Sequence, residues 1–391
     1  MSDGVALRRA VLAEPDEDLP RLAFADWLDE NGRSARAELI RVQIEAARAE
    51  PFSHAQRAAA ALGGKLLAAH QTEWWGEFRT AVQAGLGDDE AVHVSEALAP
   101  PLPGVVRVQV QFERGFIGHV ALQSAVLVRV ADAIFGSEPV QSLRVERTPS
   151  LPDAWESLEP VFEVGHLAGV RRLEFAPRTE FVHDEYAAIL GAAHLGGLTD
   201  LAIRECPLQP PWVVDLLRGG ALPALRGLAL VDNPHLGAAL AAGLAAANHR
   251  DLRRLDVSGV VFNADQLRTV LTSRCLRRVE ELRLGCASRP GSPGPLFHSN
   301  PGWVLPLDHL VALDLNGQRL GNSNVGEVLR QPAAALRYLG LARNDLDAGV
   351  VRAFVESKHL NLSYLDVRGN SLTPSNLAAL KGRFPGAVVQ V

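Results

Sequence analysis

The sequence predicts an α/β fold, a right-handed solenoid with a parallel sheet lining its hollow side and helices on its outer side, preceded by a small α-helical domain. Three observations predict it. One apolar phrase (leucine, two residues, leucine, one residue, leucine, with occasional valine, isoleucine or phenylalanine) recurs eight times. Examples are Leu198-Thr-Asp-Leu201-Ala-Ile203, Leu225-Arg-Gly-Leu228-Ala-Leu230 and Leu362-Ser-Tyr-Leu365-Asp-Val367. Its central leucines, Leu173, Leu201, Leu228, Leu255, Leu282, Leu313, Leu339 and Leu365, are spaced by 28, 27, 27, 27, 31, 26 and 26 residues. Most intervals between phrases hold a stretch whose apolar residues follow the helical period.

Residues 1–50 lack the phrase and read as a helical module. Asp18 is placed to cap a helix that tolerates Pro20 in its first turn. Leu19, Leu22, Ala23, Trp27 and Leu28 outline its apolar face, and Asn31-Gly32 ends it in the left-handed conformation. A second helix starts near Ser34, with Ala37, Ile40, Ile44 and Ala47 on one side. Residues 51–98 are expected to continue as a helical linker region carrying Leu62, Leu66, Leu67, Trp74, Trp75 and Phe78. A Pro/Gly-rich stretch, Ala99-Pro-Pro-Leu-Pro-Gly104, then gives way to two alternating segments joined at Arg114-Gly115. That pattern predicts a hairpin which, with a following helix, caps the array over 105–139. A repeat stack needs such an end, because an open coil leaves apolar surface and unpaired strand edges in water.

The array itself occupies 140–391 with its own C-terminal cap. A period of about 20–29 residues carrying this phrase is that of leucine-rich repeats. Helices are expected over 184–193, 211–217, 236–247, 264–273, 325–329 and 348–356, and a final capping strand after Phe384. Strand plus full helix in each period resembles the ribonuclease-inhibitor-like subclass of leucine-rich repeats. The stretch Arg21-Leu-Ala-Phe-Ala-Asp-Trp-Leu-Asp-Glu-Asn-Gly32, with Arg36-Ala-Glu-Leu-Ile-Arg-Val-Gln-Ile-Glu45, resembles the bacterial repeat-companion domain. That short module stands ahead of leucine-rich repeats, so the resemblance implies context rather than chemistry. The ninth position of the phrase holds Cys206, Asn233, Asn344 and Asn370, side chains suited to satisfying backbone groups where the chain leaves the strand. Val260, Ala287 and Gln318 depart from that pattern.

Bulk properties narrow the function. The net charge is -6 and the pI about 6.1. Only Lys65, Lys358 and Lys381 are lysines, and no basic stripe appears, so nucleic acid is not an expected partner. Cys206, Cys275 and Cys286 form neither a disulfide framework nor a metal-ligand spacing. The start lacks the apolar core of a signal peptide. The longest apolar run, 236–247, falls short of the roughly 20 residues that span a membrane. A cytoplasmic protein is expected, with no membrane partner.

No phosphate-binding glycine loop, HExxH, GxSxG, CxxC or calcium loop is present. His183-Asp184-Glu185 reads as the acidic start of a helix. The expectation is a non-catalytic protein with no cofactor and no metal, and a small-molecule ligand is not expected. What the phrase does supply is a row of outward-facing positions on the strands. Towards the C-terminal end these become Asp314, Tyr338, Tyr364, Asp366 and Arg368, with Asp256 and Arg283 earlier. Tyrosine and arginine are favoured anchors of protein interfaces. A protein-binding scaffold is therefore expected, using this face and, secondarily, Phe297, His298 and Trp303 of the Pro/Gly-rich loop 287–306. Two other classes stand beside it. One is a regulator of a small GTPase, on fold analogy alone; the other is an enzyme built on that loop and His298.

Overall fold

A computed structural model describes residues 3–87, 90–96, 105–147, 149–151, 154–155, 157–176, 183–218, 220–247, 251–286, 305 and 307–390. The chain divides into two compact units, Met1–Ala176 with Ala187–Leu198, and Pro177–Tyr186 with Thr199–Val391.

The first unit opens with helices α1 (Asp3–Ala13), α2 (Leu19–Glu30) and α3 (Ser34–Arg48). Helix α2 ends as the sequence requires: Gly32 has φ +73°, its N–H donates to Asp29 O at 3.1 Å, and the Arg33 N–H donates to Leu28 O at 2.8 Å. That pair of bonds closes the Schellman motif. The start of α2 differs from expectation. Asp18 is itself helical and caps nothing; its carboxylate instead meets Arg48 and Arg114. Leu19 is 76% exposed, whereas Arg21 is only 2% exposed and takes the inward position. The Arg21 guanidinium donates to Pro15 O (2.8 Å) and Arg114 O (3.3 Å) and lies over the Phe116 ring. Burial brings its pKa down to about 10. Val11, Ala25, Leu28, Ala37, Ile40, Ile44 and Phe116 form the local core, and Ala47 faces water.

Helices α4 (His54–Trp74) and α5 (Gly76–Leu86) follow. Ser53 caps α4 by accepting the Gln56 N–H. Leu62 is exposed, Leu66 and Leu67 are half-buried, and Phe78 is fully buried. A strand, β1 (Ala91–Ser95), stands in a stretch expected to be helical, and it pairs in parallel with β2 (Val105–Glu113). Strand β3 (Phe116–Gln123) returns antiparallel to β2 through the expected hairpin at Arg114-Gly115. Helix α6 (Ser124–Ser137), strand β4 (Ser142–Glu146), the short β5 (Pro149–Leu151) and β6 (Ala154–Trp155), helix α7 (Glu159–Phe162) and strand β7 (Arg172–Phe175) complete this unit's named elements. Within it β4 pairs in parallel with β3 and with β7. The Pro/Gly stretch 99–104 lies outside the described residues.

The hairpin turn is bolted to α3. The Gly115 N–H donates to Gln43 Oε1 at 2.7 Å, and Gln43 Nε2 donates to Phe112 O at 3.1 Å. Arg114 and Gly115 both have positive φ (48° and 84°), the pair that a two-residue type I′ hairpin needs. A Cβ at position 115 would stand 2.1 Å from Ile40 Cγ1.

After α8 (His183–Gly191), the second unit repeats one plan. Its strands are β8 (Asp200–Ile203), β9 (Gly227–Ala229), β10 (Arg254–Asp256), β11 (Glu281–Arg283), β12 (Ala312–Asp314), β13 (Tyr338–Gly340), β14 (Tyr364–Asp366) and β15 (Val388–Gln390). All are parallel, in a register that aligns Leu201, Leu228, Leu255, Leu282, Leu313, Leu339, Leu365 and Val389. Helices α9 (Pro210–Arg218), α10 (Gly237–Ala246), α11 (Ala264–Thr272), α12 (Gly321–Arg330), α13 (Gly349–Glu356) and α14 (Pro374–Arg383) pack in sequence-adjacent rows, α10 between α9 and α11 and α13 between α12 and α14. The central leucines and their partners two residues later (Leu230, Val257, Leu284, Leu315, Leu341 and Val367) are all buried. This is a leucine-rich-repeat fold: each coil contributes its phrase to one shared apolar interior.

Each coil then turns sharply. The fourth residue after the central leucine has a left-handed φ in six coils: Glu205, Asp232, Gly259, Gly317, Arg343 and Gly369. In four of the six the next residue supplies an amide that holds the turn. Asn344 is wholly buried; its Nδ2 donates to Leu315 O (2.9 Å) and Ala342 O (3.1 Å), and its Oδ1 accepts the Leu320 N–H. Asn370 binds Leu341 O and Val367 O and accepts the N–H groups of Asn344 and Leu346. Asn233 does the same for Ile203 O, Val231 O and the Cys206 N–H. Gln318, which departs from the sequence pattern, is buried and donates to Leu284 O, so it does the work of an asparagine. Val260 at the same position is simply buried, and Ala287 lies outside the described residues.

Two outcomes test this packing. Leu255→Ala should lower the unfolding free energy by about 2–5 kcal/mol through the cavity it leaves, read from the urea midpoint; an unchanged midpoint would contradict the buried phrase. Gly115→Ala combines a left-handed backbone with a clash against Ile40 and should cost about 2–4 kcal/mol, measured by thermal unfolding against wild type.

Candidate interaction surface on the sheet of the second unit

Because side chains alternate along a strand, the residues flanking each central leucine face away from the apolar interior. Local chemistry fixes many of them before any partner arrives. On β8 to β10 an ion pair crosses the sheet: Arg254 Nη2 and Nε donate to Asp200 Oδ1 at 2.6 and 3.1 Å. It passes over Gly227, where a Cβ would stand 2.0 Å from Asp200 Oδ1. The glycine of β9 is there to make room for that pair. Asp256, Asp314 and Asp366, the residues after the central leucine, share a local task. Each Oδ1 accepts the backbone N–H two residues on, from Ser258 (3.1 Å), Asn316 (2.9 Å) and Arg368 (3.1 Å). These carboxylates tie down the strand exits as Asx turns do.

Further along, Tyr338 and Tyr364 stand opposite each other on β13 and β14 and stack with ring centroids 5.0 Å apart and planes 17° from parallel. Both are half-buried. Burial first, then the negative charge of Asp314 and Asp366, pushes the Tyr338 phenol up to about 12. Tyr364 moves in the same direction, chiefly through burial. Asp314 is raised by burial and by the like charges of Asp256 and Asp366, against the Asn316 N–H and Arg283.

The expected site residues therefore separate. Tyr338 and Tyr364 lie side by side on adjacent strands, and Asp314 stands on the strand before them, two residues further along, in register with Gly340 and Asp366. Arg283 is 49% exposed on β11, the next strand. Arg368 is 57% exposed and folds back onto Asp366, with Nη2 to Oδ2 at 2.6 Å and Nε to Oδ1 at 2.9 Å. That contact raises the Arg368 pKa. Asp366 itself is 1% exposed, so it offers no free carboxylate at the surface. Asp256 sits one strand beyond Arg283. Phe297, His298 and Trp303, with the rest of loop 287–304 and Pro306, lie outside the described residues; so do the side chains of His183 and Asp184, while the backbone does open α8 at His183.

The arrangement can present flat aromatic area bordered by charge of both signs. Among the described residues no group of three or more His, Cys, Asp or Glu side chains could hold a metal ion, and no helix is long and apolar enough to cross a membrane.

No protein-family model matches the chain, and no curated protein matches it. Solved structures do. The crystal structure of the Rad7 and Elc1 complex in yeast aligns over 59% of this chain at 16% identity, with a TM-score of 0.43, and the aligned part spans 58% of that chain. An internalin (InlF) of Listeria monocytogenes aligns over 68% of this chain and 69% of its own, at 12% identity and TM-score 0.27. A leucine-rich-repeat protein of Leptospira interrogans aligns over 70% of this chain and 90% of its own, at 13% identity and TM-score 0.22.

The raised phenol gives a test with a definite sign. Unfolded tyrosine ionises near pH 10, while folded Tyr338 holds its proton to about 12. Its contribution to stability is therefore complete below about pH 10 and is lost as pH climbs through the folded value. Tyr338→Phe should flatten the alkaline fall in unfolding midpoint between about pH 10 and 12; a slope equal to wild type would place Tyr338 in solvent.

Proposed function

We propose that the protein is a non-catalytic scaffold whose second unit captures a partner protein on the open face of its sheet, with the Tyr338–Tyr364 stack as the anchor. The observation that carries this reading is the stack itself. Two aromatic side chains, already ordered against each other, offer contact area without the entropy of fixing long flexible chains at the moment of binding. Arg283 and the exposed side of Arg368 stand at its border. Buried aromatic anchors with a polar rim are what protein interfaces concentrate their energy in.

Several finer assignments go with this reading. Residues 1–50 act as a repeat-companion module of bacterial type, 51–98 as a linker region, 105–139 as the N-terminal cap and 140–391 as a ribonuclease-inhibitor-like array. The cytoplasm suits a chain whose Cys206, Cys275 and Cys286 are thiols not joined in disulfides. Asp366 serves the site indirectly, by holding the Arg368 guanidinium in place.

Truncating both rings tests the anchor. Tyr338→Ala with Tyr364→Ala should weaken capture of the partner by at least about 30-fold, the scale of losing a central hot spot, in a binding titration of the purified pair. The far-UV spectrum should stay that of wild type. Capture at wild-type strength by the folded double variant would remove this face from the function.

A further inference from the structure

The tyrosine stack of the second unit does not stand on a neutral sheet. One register row runs through Asp256, Arg283, Asp314, Gly340 and Asp366 on β10 to β14. Neighbouring strands lie about 4.8 Å apart, so charge alternates along the row until it reaches β13. Arg283 stands between Asp256 and Asp314, but a glycine stands between Asp314 and Asp366. A Cβ at position 340 would lie 2.9 Å from Asp314 Oδ1. The Asp314 carboxylate therefore leans over β13, the strand that carries Tyr338, into the room that the glycine leaves. Earlier in the sheet the same arrangement is complete: Gly227 lies between Asp200 and Arg254, and Arg254 reaches across it to Asp200. Over Gly340 the far neighbour is another carboxylate, and the cation is missing.

The two carboxylates that flank Gly340 differ. Asp366 is buried and held by Arg368 through two bonds. Asp314 is half-buried, and its Oδ1 accepts the Asn316 N–H. Among the described residues no arginine or lysine pairs with it; Arg283, one strand back, lies 4.0 Å from Glu281 instead. With Arg254 committed to Asp200, the outward residues here set Asp256, Glu281, Asp314 and Asp366 against Arg283 and Arg368, an excess of negative charge. Next to burial, the charges of Asp314 and Asp366 are what hold the Tyr338 proton. We infer that the partner segment carries an arginine, its guanidinium over Gly340 against Asp314 and its methylene stem along the Tyr338 ring. Such a side chain matches both halves of the spot, an apolar wall and an uncompensated carboxylate. An acidic segment would meet like charge and be turned away. The inference rests on the reading of this face as an interface and adds the charge of what it takes.

The chain holds three tyrosines, Tyr186, Tyr338 and Tyr364, so ring-labelled tyrosine reports on this spot with little overlap in a magnetic-resonance titration of the full chain. The probe is acetyl-glycyl-arginyl-glycinamide, beside its citrulline and glutamate counterparts. The Tyr338 and Tyr364 signals, assigned from single Tyr→Phe variants, should shift saturably with the arginine peptide. Its affinity should exceed that of the citrulline peptide at least about fivefold, as a charge-assisted contact gives, and the glutamate peptide should leave the signals in place. Asp314→Asn keeps an oxygen for the Asn316 N–H and should weaken the arginine peptide about fivefold or more. Arg283→Gln removes a competing cation and should tighten it about twofold. No saturable shift, equal binding of the citrulline or glutamate peptide, unchanged affinity in Asp314→Asn, or weaker binding in Arg283→Gln would each overturn the inference. Loss of partner capture in the Tyr338→Ala and Tyr364→Ala double variant would, in that event, leave the face as the interface and strike only its preference for a cation.

Discussion

A chain that coils repeatedly around an apolar interior must turn its backbone inside that interior, and every peptide group it turns there needs a partner. Leucines alone cannot meet that demand. In this protein it is met by a row of side-chain amides, three buried and the last half-buried: Asn233, Gln318, Asn344 and Asn370 each reach a carbonyl of the preceding coil, and the three asparagines also bind a carbonyl of their own. Each asparagine Oδ1 accepts backbone N–H groups in return. An unpaired peptide group there would cost more than one hydrogen bond normally contributes. In those four coils the amides therefore fix where the strand ends and the chain turns toward its helix.

From that constraint the outer surface follows. Once the exits are fixed, the parallel strands share one register, and side chains on equivalent positions become neighbours across the sheet. Tyr338 can stack on Tyr364 only because Leu339 aligns with Leu365 beneath them. The same alignment lets Arg254 span β9 to reach Asp200, provided the residue between them is Gly227. The face is thus partly self-satisfied in its first strands and keeps aromatic area open in its later ones.

How much of this was legible in the sequence depends on the reach of each side chain. The inward leucines were legible because one phrase, repeated at nearly constant spacing, has only one way to bury all its members. The Asn233, Asn344 and Asn370 ladder was legible for the same reason. Gln318 was not: a side chain one methylene longer looks like a departure, yet it still reaches Leu284 O. Asp366 occupies an outward position in the pattern, and only the fold brings Arg368 back over it. On α2 a helical wheel favours Leu19 as a core residue, but Phe116 and the carbonyls of Pro15 and Arg114 make a better berth for Arg21. Strand β1 was hidden by its brevity and by the helices before it.

The most direct measurement of the central claim is hydrogen exchange at the amides that the ladder engages. The N–H groups of Cys206, Leu320, Asn344 and Leu346 all lie outside regular strands and helices, and each donates to an asparagine Oδ1. They should exchange as slowly as the strand amides of β13, opening only with the coils themselves. Exchange at the rate of solvent-exposed turns would show that the buried amides do not hold the coils, and the account built on them would fall.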